Sequence, residues 1–152
     1  MSRSATEDIY DEHMEFELNK ANRIKEGKDI CLIACGEMVP YAVEAAKILK
    51  LDGIDVGIMD MYCLKPIDEE AIMEAAKKYQ YLVTIEEHSE FGGLGSLVSQ
   101  ITAKNHPTKV YQIALPDTHL IPGTNKEVFT YYRMDSKGIA ERVKEMLNEV
   151  KE

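Results

Sequence analysis

The chain has 152 residues, 45% of them hydrophobic, which is enough for one well-buried core and too little for two. Its 18 Lys and Arg against 27 Asp and Glu give a formal charge of -9, and no basic stripe offsets it, so nucleic acid and anionic membrane surfaces are excluded as expected partners. No apolar run approaches the roughly 20 residues of a membrane span, and the opening MSRSATEDIYDEH carries neither a signal nor a transit pattern, so a cytoplasmic location is expected.

Residues 1–12 are polar and aperiodic, as a tail or interdomain linker would be, leaving 13–152 as one domain. MEFEL, Met14 to Leu18, alternates apolar and acidic residues and predicts a short, half-exposed edge strand, after which Asn19 tolerates a left-handed turn. DICLIAC from Asp29, DVGIMDM from Asp55, YLVTIEE from Tyr81 and KVYQIAL from Lys109 are nearly continuous apolar runs, the pattern of parallel strands buried on both faces. Helical spacing separates them. After Pro40, Ala42, Ala45, Ala46 and Leu49 share one face; Asp68 stands as an N-cap, with Ile67 placed to staple onto Ile72. Leu94, Leu97, Val98 and Ile101 form a third stripe, and Ile139, Val143, Met146, Leu147 and Val150 a last one, preceded by Asp135 and Ser136 as caps. Alternating strands and helices imply right-handed crossovers with helices on both faces of one sheet. The three cysteines, Cys31, Cys35 and Cys63, form no CxxC pair and read as reduced, mostly structural thiols.

In such a sheet, ligands sit beyond the carboxyl ends of the strands, which singles out two loops. CGEMVP, Cys35 to Pro40, has one glycine, no Lys, Ser or Thr, and a glutamate at Glu37 where a phosphate would sit, so it reads as a turn and helix start. LKPID, Leu64 to Asp68, places a Lys-Pro pair after a strand as phosphorylation receivers do. The acidic pair and phosphoacceptor such a domain needs are missing, and Pro66 more simply forces Lys65 to be extended before Asp68 restarts a helix. The second loop, in TIEEHSEFGGLGSL, sets Glu86, Glu87 and His88 before Gly92, Gly93 and Gly95. These residues are compatible with a proton relay, but adjacent strand residues face opposite sides, and the glycines serve a sharp turn that brings the next helix close to the sheet. Glu86, Glu87 and Glu90 weigh against an anion cradle. The other histidines, His13, His106 and His119, have no metal-ligand spacing.

VTIEEHSEFGGLGSLVSQ resembles the E-[ED]-H-x-x-x-GGLG segment of the transketolase C-terminal domain, with relatives in 1-deoxyxylulose-5-phosphate synthase and the beta subunits of 2-oxo acid dehydrogenases. FELNKANRIKEGKDICLIACGEMV resembles the family's entry into this domain, MDMYCLKPIDEEAI its strand and K-P-[LI]-D, and SRSATEDIYDE the linker before it, so the resemblance runs from about Ser2 to Leu147. It implies a three-layer α/β/α fold whose five-stranded mixed sheet has order 1-3-2-4-5 with strand 1 antiparallel, a place that MEFEL fits. Asn19 stands where the family often has glycine, and DTHLIPGTNKEVF, Asp117 to Phe129, keeps little of the family pattern beyond Gly123 and Glu127.

The resemblance also implies chemistry held elsewhere. In the family, thiamine diphosphate and Mg2+ lie between two other domains, one carrying a GDG motif that this chain lacks. No catalytic, cofactor-binding or metal-binding residue is therefore expected here, and the isolated chain is not expected to turn over substrate. Its expected partners are the remaining transketolase domains or an N-terminal subunit, within a homodimer that transfers two-carbon ketol units between sugar phosphates. Glu86, Glu87, His88, Phe91, Gly92 and Gly93 are expected at a domain or subunit contact, or just outside the active-site region. Other readings are the corresponding domain of 1-deoxyxylulose-5-phosphate synthase or a 2-oxo acid dehydrogenase, and a free-standing module binding a small molecule between Gly36 and Gly95. A flavodoxin-like or receiver-like protein fits least.

Overall fold

The apolar runs become strands because each offers side chains to two covered faces. In β2 (Ile30–Ala34), every residue is buried. Ile30, Leu32 and Ala34 enter one core cluster, while Cys31 and Ile33 enter a second on the opposite face, as a period of two requires. The computed structural model describes residues 8–10 and 13–151. Around β2 lie β1 (Asn22–Lys25), β3 (Val56–Asp60), β4 (Tyr81–Ser89) and β5 (Lys109–Leu115), in the sheet order β1-β3-β2-β4-β5. The pairs β2/β3, β2/β4 and β4/β5 are parallel and β1/β3 is antiparallel.

Helices cover both faces of the sheet. α1 (Met38–Leu51), α4 (Asn125–Tyr131) and α5 (Ser136–Lys151) contribute to the first core, and α2 (Glu69–Lys78) and α3 (Leu94–Asn105) to the second. The predicted stripes are the buried ones: Ala42, Ala45, Ala46 and Leu49 in α1, Leu94, Val98 and Ile101 in α3, and Ile139, Val143 and Met146 in α5. Leu97, Leu147 and Val150 are half-buried. The caps hold too. Asp68 Oδ1 accepts the Ala71 N–H at 2.9 Å and Asp135 Oδ1 the Gly138 N–H at 2.8 Å. Ile67 packs against the cluster that contains Ile72, and Leu64 bridges to Ile67 across the Lys-Pro turn.

The edge of the sheet corrects the sequence reading. MEFEL is not a strand; the antiparallel edge is NRIK, Asn22–Lys25. Asn19, at φ 61, makes the left-handed turn between them. NRIK takes the slot because Ile24 reaches the first core while Arg23 pairs with Glu74 and Lys25 Nζ bonds Asp55 at 2.8 Å. Phe16 and Leu18 are exposed, and Phe16 packs edge-on against Tyr10 and Tyr62 instead. β5 also departs from expectation, since only Ile113 and Leu115 of it are buried: it is the other edge. Most of the predicted linker 1–12 lies outside the described residues.

Leu32 is fully buried at the centre of the sheet. Leu32→Ala is expected to cost about 3 kcal/mol in urea-induced unfolding, because the surrounding helices cannot close the cavity it leaves.

Candidate functional site

At the carboxyl end of β4, strand alternation sends Glu86 to the α3 face and Glu87 to the other. Glu86 is buried, and its carboxylate spans the first turn of α3: Oε2 accepts the Leu94 N–H at 2.7 Å and Oε1 the Gly95 N–H at 2.8 Å. Gly93, at the N-cap position, offers no side chain to cap the helix, so an acid from the preceding strand satisfies those amides and meets the positive end of the helix dipole. The glycines make room for it. A Cβ at Gly93 would stand 1.9 Å from Glu86 Oε2, Gly92 turns the chain at φ +80, and Gly95 packs against Gln112. The Gly92 N–H donates to Ser96 Oγ at 2.8 Å. The loop is thus a packed turn that fastens α3 to the sheet.

Glu87 faces away from this turn, into an open cavity of about 580 Å³ that it lines with His88, Leu115, Asp117, Asn125 and Phe129. His88 Nδ1 lies 3.0 Å from the Ser89 carbonyl oxygen, and the Ser89 hydroxyl donates to Asp117 Oδ1 at 3.3 Å. Phe91 is 66% exposed. The six residues singled out from the sequence therefore divide: Glu86 and Gly93 are buried, while His88, Phe91 and Gly92 are exposed and Glu87 is half-buried. Gly95 is buried against Gln112. Gly36 borders a separate cavity of about 320 Å³ with Tyr10, Asp60 and Tyr62, beyond the end of β3.

Three features of this edge went unread in the sequence. Glu37 is buried, and its Oε2 accepts the Asn125 amide N–H at 3.0 Å, tying the β2–α1 loop to α4. Helix α4 itself starts in the divergent segment 117–129, where Thr124 and Glu127 form a reciprocal capping box; the T-N-K-E spacing was its signal. Asp60, the last residue of β3, is buried: its Oδ2 accepts the Tyr10 O–H at 2.7 Å, and among the described residues its Oδ1 has no hydrogen-bond partner. Burial raises the Asp60 pKa above its ordinary value, and the Tyr10 bond offsets part of that rise. Burial, then the nearby Glu86, Asp60 and Glu87 charges, push the Cys35 thiol up to about 12, so it is no thiolate nucleophile at neutral pH.

Sheet order and helical layers define a three-layer α/β/α domain, with a glycine loop sealed by its own carboxylate at the end of the sheet. The family model for the transketolase C-terminal domain matches residues 19–139, and the chain belongs to that family. It is 38% identical over 148 residues to one of the subunits of an apulose-4-phosphate transketolase from Phocaeicola vulgatus, covering 97% of this chain and 47% of that protein. A 1-deoxy-D-xylulose-5-phosphate synthase of Chlorobium luteolum is 43% identical over 123 residues, 80% of this chain and 20% of the synthase. A solved split-gene transketolase, an inactive beta4 tetramer, superposes with a TM-score of 0.89 at 34% identity, over 96% of this chain and 48% of that one. The chain thus spans about half the length of these two transketolase relatives.

Glu86→Ala strands two buried amides and is expected to cost about 3 kcal/mol in chemical denaturation, with Glu86→Gln, which keeps one acceptor, losing roughly half as much. Asp60 has the opposite sign. Its raised folded-state pKa means that its contribution to stability is present below the unfolded value near 3.8 and is lost as pH rises through the folded value. Asp60→Asn is therefore expected to raise the melting temperature at pH 7 relative to the parent, with the gain shrinking toward pH 4.

Proposed function

We propose that the chain is the C-terminal, non-cofactor-binding section of a cytoplasmic, transketolase-type enzyme that moves two-carbon ketol units between sugar phosphates. Its task is assembly: it docks on the remaining domains, or on an N-terminal subunit, within a homodimer whose thiamine diphosphate and Mg2+ are held by those other parts. The observation that carries this reading is the Glu86 carboxylate on the α3 amides. A helix start after a glycine loop is where a diphosphate would be held; here the Leu94 and Gly95 N–H groups are already taken. The α1 start is no better suited, because the Glu37 and Asp60 carboxylates stand beside it and Pro40 has no N–H. Among the described residues no group of three His, Cys, Asp or Glu side chains is placed to hold a metal ion. With those amides taken, this reading assigns the cofactor and the reaction's steps to the other parts of the enzyme.

Relatives about twice this length support the larger assembly. On this reading Glu87, His88, Phe91 and Gly92 meet the partner, while Glu86 and Gly93 lie behind them and fix the loop's shape. An exposed aromatic beside charged groups is the composition of an interface anchor.

Isothermal titration of the chain with thiamine diphosphate and Mg2+ is expected to give no saturable heat; tight binding would overturn the assignment. Capture from the source cell is expected to bring down a chain carrying the GDG motif. Phe91→Ala should weaken that capture by about tenfold while leaving the thermal unfolding of the chain unchanged.

A further inference from the structure

Asp60 is only 5% exposed, yet one of its two carboxylate oxygens, Oδ1, has no hydrogen-bond partner among the described residues. Leaving a buried acceptor unpaired is costly, and the cost is greatest for a charged group, so such an atom in a native fold calls for an explanation. The neutral Tyr10 O–H at 2.7 Å serves the other oxygen, Oδ2. Asp60 borders the cavity of about 320 Å³ at the carboxyl end of β3. Its lining includes a second carboxylate, Asp8, the phenol rings of Tyr10 and Tyr62, and alkyl walls from Ile9 and Val39, with no Lys or Arg among the described residues. The start of α1 closes one side without offering an anion site: the Met38 and Val39 N–H groups donate to the Cys35 and Gly36 carbonyls at 3.3 and 3.2 Å, and Pro40 has none.

Two carboxylates, two electron-rich rings and an apolar wall suit one chemical class. Carboxylates accept charge-assisted hydrogen bonds from N–H cations, aromatic faces attract the same charge, and an alkyl chain gains by leaving water. We propose that this cavity binds a small organic cation, an alkylguanidinium or alkylammonium ion, with its N–H groups on Asp60, its charge between Tyr10 and Tyr62, and its alkyl part against Ile9 and Val39. Asp8, Ile9 and Tyr10 form one wall, held by the Tyr10 bond to Asp60 and by the edge-on contact of Tyr10 with Phe16.

The test is an NMR titration of the chain with butylguanidinium and, in parallel, with butylurea, which has the same shape and no charge. Butylguanidinium is expected to give saturable shifts at Gly36, Asp60 and Tyr62, and butylurea none. Asp60→Asn should weaken the cation at least about tenfold, the loss of one charge-assisted contact, with the rest of the spectrum showing the fold retained. If Asp60→Asn fails to fold, Asp8→Asn, at an exposed position, decides the matter: weaker binding at low salt supports the site and unchanged affinity overturns it. Absence of saturation, an equal response to butylurea, or full affinity in a folded Asp60→Asn chain would each overturn it as well.

Discussion

The buried contact between the Glu86 carboxylate and the Leu94 and Gly95 amides is the constraint on which the functional edge of this domain depends. A helix that starts directly from a glycine turn has no capping side chain of its own, and its first N–H groups must find an acceptor. Supplying that acceptor from β4 fixes the distance between strand and helix. It also dictates the glycine at position 93, where any side chain would collide with the carboxylate. The remaining loop residues are then turned outward. One ion–dipole contact therefore sets the shape of the loop and determines which of its residues face solvent.

The same contact explains why glycines before a helix start do not leave its first amides free for an anion. Glycines before a helix create a cradle only when the amides stay free. Here the protein fills its own cradle, and the neighbouring β2–α1 loop is closed by similar means, with Glu37 drawn inward to Asn125. Acids thus gather where the parallel strands end, and they act as fasteners between layers. In a chain of net charge -9, that concentration also favours partners with basic or amide-rich faces over anionic ones.

Much of the architecture was legible because burial imposes periodicity. β2, β3 and the first part of β4 are covered on both faces and read as unbroken apolar runs, and the stripes of α1, α3 and α5 were found by spacing alone. Elements with little buried surface were illegible. β1 has four residues and rests on Ile24 and ion pairs, which leaves no alternation to detect, whereas MEFEL alternates well but has no buried face to serve. Helix α4 was missed because its segment departs from the family pattern, although Thr124 and Glu127 announced it by capping chemistry. For the site, the separation of Glu86 from Glu87 followed from strand geometry. What Glu86 bonds to did not, since residues eight and nine positions further on meet it only once the turn is folded.

Glu86, late in β4, and Asp60, the last residue of β3, lie on either side of β2 and differ in one respect. Both are buried strand acids, but Glu86 has an amide on each oxygen, whereas Asp60 has a neutral donor on one oxygen and, among the described residues, none on the other. The first arrangement is self-sufficient, because the charge lost from water is met by fixed dipoles and any further ligand would have to displace them. The second carries an uncompensated desolvation cost, which also raises the Asp60 pKa. A domain under selection for stability alone would shed such a group, since replacing a half-satisfied buried acid costs little and frees the desolvation energy. Its presence beside tyrosine rings and a second acid is therefore the feature of this fold that assembly by itself leaves unexplained.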